Sequence, residues 1–276
     1  MTAGWQRRTL TACLLALAHG LVWGTGLATA STSEQVPASA VPSTAATALA
    51  QPTQVSPLTS SSPAITPLSN ETTSTTWADP VEVVRIHERP RADSRAVAVT
   101  HLETEDGFPE VYLMLSSLTD TRGQVWVRLR IPGRPNGRVG WVPRGALGEF
   151  HVTHWRLDVS LRSRRLRAYF NGKLRFTAPV GVGKPSTPTP AGRFWIRERF
   201  KLASRSNPYW PYALGTSDYS TLTDWPGGGV VGIHGDFGDP KLIPGDPSHG
   251  CVRMHDADIA WLAPRVQLGT PVHVFR

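Results

Sequence analysis

From about residue 79 onward the apolar positions come in short runs alternating with polar ones, and a period of two predicts strands. One set comprises Val81-Glu82-Val83-Val84, Val111 to Leu115, Val125 to Leu129 and Val139 to Val142. Turn chemistry separates them at Arg89-Pro90, Asp106-Gly107 and Pro135-Asn136-Gly137. Residues 79–150 therefore read as a small all-β barrel. A second set falls within residues 151–276: Leu157 to Ser160, Leu166 to Tyr169 and Leu174 to Phe176, the last two joined by Asn171-Gly172. It continues through Ala178 to Gly183 into a loop rich in Pro and Thr. Ala257 to Ala263 has helical character, with Asp256 as the expected N-cap and Pro264 just beyond its end. The expected fold is mainly β, with this one short helix. Trp195, Trp225 and Trp261 are assigned to the core.

The N-terminal stretch is patterned differently. Arg7-Arg8 precede a largely apolar run from Leu10 to Trp23, and Ala28-Thr29-Ala30 has the small-x-small form of a cleavage site. Residues 1–30 read as a signal peptide cleaved after Ala30, or as a retained membrane anchor because the apolar run is long. The expected location is outside the cytoplasm. Residues 31–78 are dominated by Ser, Thr, Ala and Pro, with Glu34 and Glu71 as the only charges. Such a composition buries too little to offset chain entropy, so it predicts a tether.

Composition narrows the classes. Among 276 residues, 24 Pro, 25 Gly and 10 Trp with only 18% charged residues argue against a helical bundle. Two cysteines exclude a disulfide-stapled scaffold and a four-cysteine metal site. Cleavage after Ala30 would leave Cys251 as the sole thiol. Residues 79–150 are formally neutral, whereas residues 152–276 carry 17 basic and 9 acidic side chains. A basic face suits anionic polymers. Export argues against nucleic acid.

Reactive side chains concentrate in Ile233-His234-Gly235-Asp236 and in Pro247-Ser248-His249-Gly250-Cys251-Val252-Arg253-Met254-His255. A free thiol is only about 3% thiolate at pH 7, so a nucleophilic cysteine needs a nearby base or cation. His234 and His249 are the candidates. A zinc site built from His234, His249, Cys251 and His255 has irregular ligand spacing. Gly183-Lys184-Pro185-Ser186 fails as a phosphate loop because Pro185 stands where Ser or Thr is needed.

His234-Gly235 followed fourteen residues later by Ser248-His249-Gly250-Cys251-Val252-Arg253 resembles the signature of the L,D-transpeptidase (YkuD-type) catalytic domain. Thr189-Pro190-Ala191-Gly192-Arg193-Phe194 resembles that family's Thr-Pro-x-Gly-x-Phe element. Asn207-Pro208-Tyr209-Trp210-Pro211 and Gly215 to Ser220 resemble its substrate-covering segment. The match covers residues 152–276, and Asp256 stands where many members have Asn. Separately, Trp126 to Trp141 resembles the last hairpin of bacterial Src-homology-3-type domains.

The resemblance implies a β-sandwich catalytic domain and a ping-pong acyl transfer without cofactor or metal. Cys251 would attack the L,D bond before the terminal D-Ala of a peptidoglycan tetrapeptide stem. A neighbouring stem's amine would resolve the thioester into a 3→3 crosslink. His234 is the implied general acid/base, its ring held by the Gly235 carbonyl or the Asp236 carboxylate, with His249 the rival base. Gly250 and Cys251 would offer backbone N–H groups to the oxyanion. Ser248 and His249 are expected as hydrogen-bonding supports, and Tyr219, Trp210 and Arg253 as substrate contacts. The implied partners are stem peptides as donor and acceptor, with carbapenems as covalent inhibitors. No nucleic acid and no stable protein partner are inferred. An L,D-carboxypeptidase using water, or a non-catalytic wall-binding module, are the competing functions.

Overall fold

The computed structural model describes residues 64–224 and 226–276, which lie within one compact unit, Leu58–Arg276. The expected signal peptide, most of the expected tether, Cys13 and Trp225 lie outside the described residues. The first sheet contains β1 (Ile65–Pro67), β2 (Thr75–Ala78), β3 (Arg85–His87), β4 (Ala96–Val99), β5 (Tyr112–Thr119), β6 (Val125–Arg130), β7 (Val139–Pro143) and β8 (His151–Thr153). Its order is β4-β3-β7-β6-β5-β2-β8, with β1 paired to β5. Ile86, Tyr112, Met114, Val127, Leu129 and Val142 form its buried face.

The structure departs from the sequence pattern in three places. The tether does not run to residue 78, because β1 and β2 are already strands of this sheet. Glu71, read as an isolated charge in a polar stretch, is buried with its Oε1 2.8 Å from Nη2 of Arg130. Val81 to Val84 is not a strand; Val81 and Val83 are exposed and the strand follows at β3. The valines alternate with polar residues, but no partner strand is there to pair them.

The second sheet is built from β9 (Trp155–Ser160), β10 (Arg165–Phe170), β11 (Lys173–Pro179), β12 (Gly181–Gly183), β13 (Gly192–Lys201), β14 (Tyr212–Tyr219), β15 (Val230–His234), β16 (Gly245–Ser248), β17 (Val252–Arg253) and β18 (Pro271–Phe275). Its order is β11-β10-β9-β18-β13-β14-β15-β17-β12-β16. Asn171 and Gly172 both take positive φ, +50° and +72°, the backbone a tight hairpin between β10 and β11 requires. Strand β13 belongs to both halves: Gly192–Trp195 pairs with β18, and the remainder pairs with β14 after a register shift between Ile196 and Glu198. Such a shift bends a strand. Both halves consequently bury one core containing Leu157, Leu166, Phe194, Ile196, Leu214 and Ile233.

The helix α1 (Asp256–Leu262) seats Ile259 and Leu262 in that core, at the i, i+3 spacing of one face. Its N-cap is His255, without a side-chain cap bond, and not Asp256 as expected. Asp256 Oδ1 instead accepts the Asp236 N–H at 3.2 Å. Trp195 is buried between the sheets, packing with Val111 and Leu113 and donating its Nε1–H to the Val111 carbonyl at 2.6 Å. Trp261 is partly buried at the edge of the second core, stacked on Phe176.

Candidate active site

Adjacent parallel strands β15 and β17 pair Ile233 with Val252 and His234 with Arg253. This pairing brings His234 beside the loop that delivers Cys251, although the two lie 17 residues apart in sequence. Cys251 precedes β17, and the Gly232 N–H of β15 donates to its Sγ at 3.4 Å.

The loop entering Cys251 is tied from both sides. Ser248 Oγ–H donates to the Cys251 carbonyl at 2.6 Å, and the same oxygen accepts the Gly250 N–H at 3.1 Å. Thr189 Oγ1–H donates to the Gly250 carbonyl at 2.7 Å. Gly250 has φ +130°, a conformation that side-chain-bearing residues rarely adopt, and a Cβ there would sit tightly against Ser220 Cβ at 3.2 Å. The Gly250 N–H was expected to face an oxyanion. It is engaged by Ser248 instead, because the turn closes on itself.

His234 is buried, and its Nδ1–H donates to the Gly235 carbonyl at 2.9 Å, which leaves Nε2 as the acceptor. The Asp236 carboxylate, the other orienting group considered, accepts the Gly238 N–H at 2.9 Å. Gly235 has no room for a side chain, since a Cβ would collide with the Trp210 carbonyl. Burial pushes the His234 imidazole down to about 4, with the Gly235 hydrogen bond opposing and Arg253 adding to the shift. Burial also pushes the Cys251 thiol up, against the pull of the Gly232 N–H and Arg253. At neutral pH both groups are therefore uncharged. Burial thus favours the neutral thiol and neutral imidazole over a thiolate–imidazolium pair.

Two cavities meet at Cys251. One, about 180 Å³, is bordered by Tyr209, Ser220, Phe237, Ser248, His249 and Arg253. The other, about 150 Å³, is bordered by Asp106, Phe200, Tyr209, Gly215, Gly232 and His234. Arg253 lies over the Phe237 ring at 4.6 Å, and burial pushes its guanidinium below the usual range. His249 is exposed, with Nε2 3.0 Å from Lys184 Nζ.

Two expected substrate contacts sit elsewhere. Trp210 lines neither cavity, and its ring lies under Arg205 at 4.6 Å. Its neighbour Tyr209 borders both and meets the His234 ring edge-on at 4.7 Å. Tyr219 is buried and borders neither cavity; its hydroxyl accepts from Arg197 Nη1 at 2.9 Å and donates to Glu105. The covering segment thus supplies a ring, but one position earlier than expected. Thr189 and Tyr209 belong to motifs visible in the sequence without having been singled out. Among the described residues no group of three or more His, Cys, Asp or Glu is arranged to hold a metal ion.

Residues 154–274 match the YkuD family model, the L,D-transpeptidase catalytic domain. Over 120 residues the chain is 37% identical to the YkuD protein of Bacillus licheniformis, covering 44% of this chain and 65% of that one. For the Bacillus subtilis YkuD protein the identity is 33% over 122 residues, with 44% and 66% covered. The chain therefore spans just under two thirds of these relatives' length. An Enterococcus faecium L,D-transpeptidase structure is 30% identical, covering 44% of this chain and 49% of that one at a TM-score of 0.35. All four site segments, Thr189–Phe194, Asn207–Pro211, Ile233–Asp236 and Ser248–Arg253, lie inside the matched L,D-transpeptidase domain.

Proposed function

We propose that this chain is an exported L,D-transpeptidase in which Cys251 is the nucleophile and His234 the general acid/base. The observation that carries the reading is the tautomer of His234, whose Nδ1–H is held by the Gly235 carbonyl, on the wall of a cavity that Cys251 also borders. A neutral imidazole accepts a proton, whereas an imidazolium does not. Nε2 takes the thiol proton as Sγ bonds the carbonyl carbon of stem residue three. The tetrahedral oxyanion collapses, the C–N bond to the terminal D-Ala breaks, and His234 returns the proton to the leaving nitrogen. A thioester remains on Cys251.

The side-chain amine of a second stem attacks that thioester and passes a proton to His234. The C–S bond breaks, the sulfur is reprotonated, and a 3→3 crosslink is formed. With the Gly250 N–H engaged by Ser248, the Cys251 N–H is the remaining expected donor to the oxyanion; such a donor is worth about 3–4 kcal/mol. Arg253 supplies the cation for stem carboxylates. Export rests on the leader pattern of residues 1–30, and a Src-homology-3-like, wall-associated role for the first sheet rests on the Trp126 to Trp141 hairpin.

The test is intact mass after exposure to a carbapenem, whose strained carbonyl offers the thiol an acyl donor. The wild type should gain one drug mass and Cys251→Ala none. An unmodified wild type, or a modified Cys251→Ala, would remove the thiol from the mechanism.

A further inference from the structure

Acyl transfer needs places for two substrates, and the cavities on either side of Cys251 differ in charge. The one bordered by Arg253 and His249 has no acidic residue on its wall. The other has a single acidic residue, Asp106, and it comes from the chain preceding β5 rather than from the second sheet. His234 borders this second cavity only.

The Asp106 loop is held firmly. Thr104 and Phe108 close it, through Thr104 N–H to the Phe108 carbonyl at 2.7 Å and Phe108 N–H to Thr104 Oγ1 at 3.2 Å. The Phe108 ring packs edge-on against Phe200 at 4.9 Å, and Phe200 itself borders the cavity. On the other flank Glu105 Oε2 stands 3.1 Å from Arg197 Nη1 and accepts from the Tyr219 hydroxyl. With Glu105 and Phe108 anchored on the second sheet, the loop keeps the exposed Asp106 on the border of this cavity. A second acid backs the same wall: the buried Glu198 carboxyl lies under Gly215, where any Cβ would collide with it.

Proton bookkeeping selects which substrate belongs there. His234 protonates the departing nitrogen in the first half-reaction and deprotonates the arriving one in the second. By microscopic reversibility the acceptor amine occupies the side the leaving group vacated, beside His234. An amine arrives in water mainly as a cation. Building on the proposed transpeptidase reading, we infer that Asp106 recognises the ammonium of the acceptor and admits it through the His234-side cavity, while the Arg253 side holds the acyl donor. The acceptor site is therefore shared between the two sheets, and the class of ligand it takes is a primary alkylammonium.

The experiment uses the full chain, a tetrapeptide donor, and two acceptors: Nα-acetyl-lysine amide, a cation without carboxylate, and hydroxylamine, uncharged at pH 7.5. The readout is the ratio of transferred to hydrolysed product, which is independent of how fast the thioester forms. For Asp106→Asn that ratio should fall about fivefold with the lysine amide at low salt, the scale of one near-surface charge pair. It should fall less than twofold with hydroxylamine. Asp106→Lys should lower the lysine-amide ratio further, Asp106→Glu should restore it in part, and 0.5 M salt should compress the difference. Equal losses with both acceptors, or an unchanged lysine-amide ratio, would overturn the assignment while leaving the transpeptidase reading intact. A wild type that releases no D-Ala would overturn both.

Discussion

Arg197 on β13 reaches across to Glu110, just before β5, with Nε 2.7 Å from Oε1 and both side chains almost wholly buried. This ion pair joins the two sheets at the level of Trp195, and Glu105 and Tyr219 complete its hydrogen bonding. Removing Arg197 leaves the buried Glu110 without its cation, a loss of about 3–5 kcal/mol, whereas removing Glu110 leaves Arg197 paired with Glu105. Arg197→Met should lower the unfolding free energy from urea titration by that much and Glu110→Gln by less, and the double replacement Arg197→Met/Glu110→Leu should recover most of the loss. Single variants as stable as the wild type would show that the pair does not join the sheets.

The acid limb of the reaction should lie unusually low. Because burial depresses the His234 imidazole to about 4, the base stays neutral well below its ordinary value of about 6.5. Carbapenem adduct formation, followed from pH 3.5 to 8, should therefore hold its rate through pH 6.5 and lose it only near pH 4. The sign for stability is the same. The unfolded chain binds this proton more tightly, so the contribution of neutral His234 is present above pH 6.5 and disappears as pH falls towards 4. A midpoint between 6 and 7 would mean that the ring is not buried in solution.

His234 and His249 separate by mutation. The former is buried with one nitrogen fixed, and the latter is exposed beside Lys184. Lys184 and burial both depress the His249 ring, the burial effect being the larger. His234→Ala should slow acylation by about 10²–10⁴, the usual worth of a positioned acid/base. The loss from His249→Ala should be at least about tenfold smaller on the same scale. A larger loss at His249 would exchange their roles.

Cysteine, histidine and the glycines around them were legible because their chemistry is local: a nucleophile, a base and a constrained turn occupy two short segments. What eluded the sequence depends on partners far along the chain. Glu71 looks like a linker charge until Arg130, 59 residues away, pairs with it. Tyr219 looks like a substrate ring until Arg197 and Glu105 claim its hydroxyl. Which ring of Tyr209-Trp210 meets His234 was hidden for another reason, since neither residue lies on a strand and no alternation assigns its face. The hydrogen bond from Gly250 to Ser248 was equally out of reach, because a motif gives residue types and no backbone direction.

The first sheet reaches the wall of the thiol cavity through two side chains of the β6–β7 loop. Arg134 donates to the Ser220 carbonyl from Nε at 3.0 Å and Nη2 at 2.7 Å, and to the Leu222 carbonyl at 3.1 Å. The Asn136 amide completes both halves of the Tyr219 backbone, accepting its N–H at 3.2 Å and donating to its carbonyl at 2.9 Å. Its Nδ2 also meets Asp218 Oδ1 at 2.8 Å. Ser220 borders the Arg253-side cavity and packs against Gly250, so a slack 218–222 segment would let the nucleophile loop shift. Displacements near 1 Å at a reacting centre cost up to about 10²-fold. Arg134→Ala/Asn136→Ala should therefore slow carbapenem acylation about tenfold or more while circular dichroism still reports a folded β protein. Asn136→Asp should be worse than Asn136→Ala, because it turns a donor into an acceptor facing Asp218 and the Tyr219 carbonyl. Were the double variant to acylate at the wild-type rate, the first sheet would be attached to the catalytic unit without shaping it.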